Sequence, residues 1–301
     1  MLAFITTLRH PHNSADYGRV ETLLQETLSS IGRQACNDYV VIIVGNRRPT
    51  FALPARTRFV QVEFPPPSPR GGPQTGMPPI VWDKGTKAAV GLVTAREFAP
   101  EYVMFVDADD FVHRDLAGFC RDHPGQPGWV VKRGWMYSRA RNTYAPKWKL
   151  FRICGSTYIL PLEAYAVPSE LNAGASQHEI FEAVGELFEN VLGEHRYALE
   201  WWRERGRELR PLPFRGTVYQ VDTGENHSGN VLLGPGMPYH SRLARDFGIQ
   251  ASKGPASTVW SSIGPAALRP DMRLPARPAF LRSKTSYLAD YTPPSRDCES
   301  A

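Results

Sequence analysis

The chain has 301 residues, 42% hydrophobic and 22% charged, with a formal net charge of +5. This is ordinary globular composition, with room for one large domain or two modest ones. No apolar run approaches the roughly 18 residues a membrane span requires. The four cysteines, Cys36, Cys120, Cys154 and Cys298, show neither CxxC nor zinc spacing.

The start, MLAFITTLRHP, has no basic leader region and no small-residue cleavage site, and it reads as a first β-strand. Scattered thiols fit a reducing compartment. A cytoplasmic protein is expected, with peripheral association at the inner face of the membrane left open. Basic residues, including Lys132, Arg133, Arg139, Arg141, Lys147 and Lys149, suit a polyanion, a membrane surface or a phosphorylated substrate equally. No nucleic-acid-binding motif is present, so no nucleic-acid partner is expected.

Residues 2–8 form an apolar strand, and the loop RHPHNSAD follows. Val20, Leu23, Leu24, Leu28 and Ile31 recur at helical spacing, and Gly32 marks the stop. YVVIIVGN at 39–46 is a β-branched run typical of a strand buried on both faces. RFVQVEF at 58–64 alternates as a third strand, and the proline- and glycine-rich stretch 65–79 predicts an irregular loop. Residues 82–98 predict a helix, and EYVMFVDADD a strand whose apolar part ends at Val106.

Beyond this point, 129–138 and 151–161 are strand-like. Ser176 and Glu179 form a capping box ahead of an amphipathic helix that runs to Leu192. Residues 194–206 predict another helix, and TVYQV at 217–221 a short strand. The expected organisation is a nucleotide-binding α/β region at 1–115, a second region of the same domain at 116–262, and a loosely ordered proline-rich tail at 263–301.

Three aspartates crowd the end of the fourth strand in FVDADDF. On an extended backbone residues i and i+2 share a face, so Asp107 and Asp109 can converge while Asp110 points elsewhere. Converging carboxylates repel unless a cation lies between them, and a hard divalent ion accepts such oxygen ligands. Ligands of open α/β sheets bind beyond the carboxyl ends of the strands.

The order of elements and the string Val106-Asp107-Ala108-Asp109-Asp110 resemble the GT-A-fold glycosyltransferases, closely over residues 2–111 and loosely over 150–230. The resemblance implies an α/β, GT-A-type (Rossmann-like) fold: a mixed central sheet flanked by helices, with a smaller acceptor-side region. It implies a D-x-D motif in which Asp107 lies near the ribose or metal and Asp109 is the more direct ligand of Mn²⁺ or Mg²⁺. It further implies a nucleotide-sugar donor of UDP or GDP type, with a saccharide or lipid-linked acceptor. Thr7 and Arg9 match the positions that contact nucleobase and phosphates. Lys84 and Lys87, one turn apart in WDKGTKAA, match a segment that lies near the nucleotide.

His227, in the polar loop GENHSGN, fits a late third metal ligand, and His240 competes with it. Glu194 is the first choice for the base of an inverting enzyme, although the chain has Glu194-His195 where the family commonly carries Glu-Asp. Glu179 is weaker because capping accounts for it. Trp135, Tyr137 and Trp148 offer flat faces to a sugar, and Trp201 and Trp202 read as packing residues. Two rival readings remain: a sugar-phosphate nucleotidyltransferase, which would carry a glycine-rich loop after its first strand, and a non-catalytic nucleotide-sugar binder of the same fold.

Overall fold

The computed structural model describes residues 1–73, 75–226, 228–263, 288 and 291–293. In chain order the elements are β1 (Leu2–Thr7), α1 (Tyr17–Ile31), β2 (Tyr39–Gly45), β3 (Thr57–Gln61), α2 (Met77–Ala95), β4 (Tyr102–Phe105), β5 (Phe111–Val112) and α3 (Leu116–Asp122). There follow β6 (Trp129–Val130), β7 (Arg133–Ser138), β8 (Thr143–Trp148), β9 (Tyr158–Pro161), α4 (Gln177–Val184) and α5 (Ala198–Glu204). The remainder is β10 (Arg210–Pro211), β11 (Thr217–Val221), β12 (Met237–Pro238), α6 (Ser241–Phe247) and α7 (Pro255–Ile263).

The central sheet has seven strands in the order β10-β6-β9-β4-β1-β2-β3. Strands β1 to β4 run parallel, and β9 is antiparallel to both β4 and β6. The expected α/β fold with a mixed central sheet and flanking helices is therefore present. β2 is buried along its whole length, as its β-branched run requires, because helices cover both faces. On one face α2 packs through Ala88, Ala89 and Leu92 against Ala3, Ile5 and Ile42. On the other, α1 packs through Val20, Leu24 and Leu28 against Phe4 and Ile43. A second sheet, ordered β12-β8-β7-β11-β5, sits beside it and delivers the loop after β11 to the carboxyl ends of β1 and β4. Residues beyond 115 supply β6, β9 and β10 to the central sheet, so both expected regions share it.

Several expected elements differ in extent, each for a local reason. α2 begins at Met77 inside the proline stretch, because proline is tolerated in the first helical turn, where no amide donor is needed. The strand expected over 129–138 divides: Trp129–Val130 joins the central sheet and Arg133–Ser138 the second. The amphipathic helix behind the Ser176–Glu179 capping box stops at Val184, because Gly185 turns at φ +53°. Phe188–Leu192 then resumes as a π-helical turn. The helix expected from residue 194 starts at Ala198, which leaves Glu194 in a loop. The segment 151–161 is a strand only from Tyr158 onward. Most of the tail expected at 263–301 lies outside the described residues.

The position of α2 depends on Gly91. A Cβ there would lie 2.4 Å from Ile5 Cγ2, in the core of β1. Gly91→Ala gains up to about 1 kcal/mol of helix propensity and meets an overpacking cost of about 1–3 kcal/mol. A net loss of about 1 kcal/mol is expected, measured as a lowered urea midpoint with unchanged slope.

Candidate active site

The aspartate-rich segment is not an extended strand end. β4 stops at Phe105, and one further ladder bond runs from the Val106 amide to the Ile5 carbonyl at 2.8 Å. The chain then turns, with the Asp110 amide donating to the Asp107 carbonyl at 3.0 Å. This corrects the expectation that strand alternation aligns Asp107 with Asp109: a β-turn centred on Ala108 and Asp109 brings them to the same side. Asp110 points inward, fully buried. It accepts hydrogen bonds from Ser156 Oγ at 2.6 Å, Cys154 Sγ at 3.2 Å and the Gln220 amide at 3.1 Å. Ser156 Oγ also accepts from the Asp107 amide at 2.8 Å. The turn is thus tied to the segment before β9 and to β11.

A cavity of about 400 Å³ lies at the carboxyl ends of β1 and β4. Thr7, Arg9, Lys84, Asp107, Asp109 and Glu194 all line it. Lys87 does not. Its ammonium is 0% exposed and donates to the Leu8 carbonyl and to Asp83, each at 2.8 Å. It thereby holds the loop that carries Arg9. Arg9 itself donates to the Glu225 carbonyl at 2.5 Å, to the Glu225 carboxylate at 3.2 Å and to the Asn13 carbonyl at 3.2 Å. Glu225 also accepts from the amides of Ala15 and Asp16 at 3.0 and 2.9 Å, so the loops after β1 and β11 form one wall.

Lys84 Nζ lies 2.5 Å from Asp107 Oδ1. Burial opposes ionisation of both groups, and their mutual attraction overcomes it: the lysine is raised above its ordinary value and the carboxyl lowered. Asp109 has no such partner. Asn226 donates to it at 2.9 Å, Arg9 acts only at a distance, and burial together with the Asp107 charge pushes its carboxyl up to about 7.

Sequence reasoning did not single out Asn226, Glu225 or His195 as site residues. The first two belong to GENHSGN, where attention fell on the histidine. His227 lies outside the described residues, while its neighbours Asn226 and Ser228 line the cavity. His240 does not line it and instead caps α6 by accepting from the Arg242 amide at 3.1 Å. Glu194 is buried and accepts from the Arg196 amide at 2.9 Å and its guanidinium at 3.4 Å. His195 lines the cavity with Nε2 buried and unpartnered, and burial lowers its proton affinity, which keeps the ring neutral. Trp135, Tyr137, Trp148, Trp201 and Trp202 lie away from this cavity, and Trp202 is packed in the core.

The carboxylates of Asp107 and Asp109 form a two-residue set of hard oxygen donors. Among the described residues no group of three or more acidic, histidine or cysteine side chains is placed to hold a metal. Two carboxylates fit Mg²⁺ or Mn²⁺ when substrate phosphates and water complete the coordination. Burial first and the Asp107 charge second raise the proton affinity of Asp109, and a cation bound beside it would favour its ionised form.

No family-wide profile matches the chain, and no curated protein matches it. Solved structures do. One, from Desulfovibrio desulfuricans, carries an assignment as a nucleotide-diphospho-sugar transferase; it is 10% identical, covers 73% of this chain and 80% of its own, and superposes with a TM-score of 0.33. A mannose-1-phosphate geranyltransferase from Thermus thermophilus is 15% identical over 73% of both chains, with a TM-score of 0.31. Likenesses this distant carry nothing about the site, whose reading rests on its own geometry.

Asp109 gives the protein a pH signature. Its carboxyl binds a proton at about 7 in the folded state against an ordinary 3.8. Between those values the folded chain holds a proton that the unfolded chain has released, so stability falls as pH rises. Chemical denaturation from about pH 4 to 7 in metal-free buffer is expected to show that decline, and Asp109→Asn to flatten it.

Proposed function

We propose that the protein is a metal-dependent glycosyltransferase. It moves a sugar from a nucleoside-diphosphate donor of UDP or GDP type to a saccharide or lipid-linked acceptor. One observation carries the reading: two carboxylates on a hydrogen-bonded turn face Lys84 and Arg9 inside one cavity at the carboxyl ends of the parallel strands of the central sheet. Such crevices are where open α/β sheets bind nucleotides.

In this reading Asp107 and Asp109 hold Mn²⁺ or Mg²⁺, with His227 the candidate third ligand. The bound ion supplies Lewis-acid stabilisation of a leaving diphosphate. Lys84 adds a cation beside the same oxygens. Thr7 and Arg9 line the cavity and would meet the nucleotide, and Lys87 acts indirectly by fixing the Leu8 carbonyl. Glu194 lines the cavity and is the candidate base. A lipid-linked acceptor would bring the protein to the inner face of the membrane, where the exposed Val259, Trp260 and Ile263 of α7 suit a lipid surface.

Titration calorimetry of UDP and GDP with Mn²⁺ and with EDTA tests the reading. Binding is expected with metal only, and Asp109→Ala is expected to abolish it while near-UV dichroism stays native. Nucleotide binding indifferent to both EDTA and that substitution would remove the metal role. With a competent donor, turnover is expected to release nucleoside diphosphate; pyrophosphate chemistry would instead favour the nucleotidyltransferase. Glu194→Gln is expected to leave donor binding intact and slow transfer by about 10²–10⁴-fold, and equal rates would dismiss it as the base.

A further inference from the structure

Building on the donor-site reading above, we propose that Lys84 is an exchangeable counter-ion: it holds Asp107 in the empty site and passes to the donor diphosphate when nucleotide and divalent cation arrive together.

The ion pair is short and placed for exchange. Lys84 Nζ lies 2.5 Å from Asp107 Oδ1, and both side chains keep contact with the cavity, at 27% and 30% exposure. It is also given space. Gly155 sits directly against it, and a Cβ there would lie 2.7 Å from Asp107 Oδ2 and 3.0 Å from Lys84 Nζ. Lys87, one turn further along α2, shows the contrast. Its ammonium is wholly enclosed between Asp83 and the Leu8 carbonyl and has no route to a ligand. Among the described residues Lys84 hydrogen-bonds to Asp107 alone, and a long flexible stem allows its head to swing by several ångströms.

The electrostatics set the order of events. In the empty site the ammonium already neutralises Asp107, so a divalent ion arriving alone meets Asp109 and a carboxylate already paired. A diphosphate brings negative charge that competes for the ammonium. Once Lys84 moves to a phosphate oxygen, Asp107 is free to serve the metal, and the total charge in the cavity stays balanced. Metal binding and nucleotide binding therefore reinforce each other through one side chain.

Removing the ammonium separates this from a structural role, because the two affinities then move in opposite directions. In Lys84→Met, Mn²⁺ alone, followed by the loss of the free-ion paramagnetic resonance signal, is expected to bind at least about tenfold more tightly than to wild type. UDP or GDP in the presence of Mn²⁺, followed by calorimetry, is expected to bind at least about tenfold more weakly, a change of about 1.4 kcal/mol in each direction. Lys84→Arg keeps the charge and is expected to hold Mn²⁺ alone as weakly as wild type, and the near-UV dichroism of Lys84→Met is expected to stay native, which shows that the methionine variant is folded. Both affinities falling together in Lys84→Met, or neither moving, overturns the exchange while leaving the donor reading standing. Failure of wild type to bind either nucleotide with Mn²⁺ overturns both.

Discussion

The site is held in place by a buried carboxyl group that never meets the cavity. Asp110 is fully enclosed, and burial together with the charges of Asp109 and Asp107 raises its proton affinity well above the ordinary carboxylate range. Three donors from two distant segments satisfy it: Ser156 and Cys154 ahead of β9, and the backbone of Gln220 in β11. Breaking one such buried contact leaves a polar group stranded, at a cost of about 1–3 kcal/mol. Because the same residue closes the β-turn after β4, its anchorage fixes the directions in which Asp107 and Asp109 leave the backbone.

Once those directions are fixed, the surroundings differentiate two chemically identical side chains. Asp107 gains an ammonium at 2.5 Å and stays ionised despite burial. Asp109 faces the same enclosure with an amide as its near neighbour and the Asp107 charge beside it, and it retains its proton to about 7. Paired titratable groups pushed apart in this way mark places where charge is handled. Here the lowered carboxyl keeps an ammonium and the raised one keeps a proton, so a cation that displaced that proton would meet a second carboxylate beside Asp107.

The sheet was legible in the sequence because its strands obey a local rule. A run such as YVVIIVGN can be buried on both faces only if helices cover both, and the amphipathic pattern before it supplies one of those helices. The aspartate cluster was legible for the same reason, since it follows a buried strand directly. What escaped depended on distant contacts. The switch of sheet between Val130 and Arg133 is marked locally only by Lys132, Arg133 and Gly134, which a single continuous strand with a solvent-facing edge would also carry. Asn226 and Glu225 look like ordinary loop residues, and only folding sets them against Asp109 and Arg9, more than a hundred positions away. The two lysines of α2 were indistinguishable by spacing. Lys87 is drawn into the interior by Asp83 four residues earlier, a helical pair visible in hindsight, whereas Lys84 turns toward the cavity.

These unequal fates give the site its division between fixed and movable parts. An enclosed ammonium is tolerable only when nearly every proton has an acceptor, and Lys87 meets that condition with Asp83 and the Leu8 carbonyl. Releasing it would strand both a charge and a carbonyl, so it remains in place and stiffens the loop carrying Arg9. The Lys84–Asp107 pair lies closer to water. Its attraction is partly screened, and each partner can find a substitute in solvent or in a ligand. The Asp110–Ser156 contact thus lies behind the cavity wall, and Lys87 holds the lining residues Asp83 and Leu8 from behind, while the Lys84–Asp107 pair lies on the wall. The proposed donor site calls for that arrangement: a wall that does not deform when charge enters, carrying one cation whose existing contact a ligand can replace.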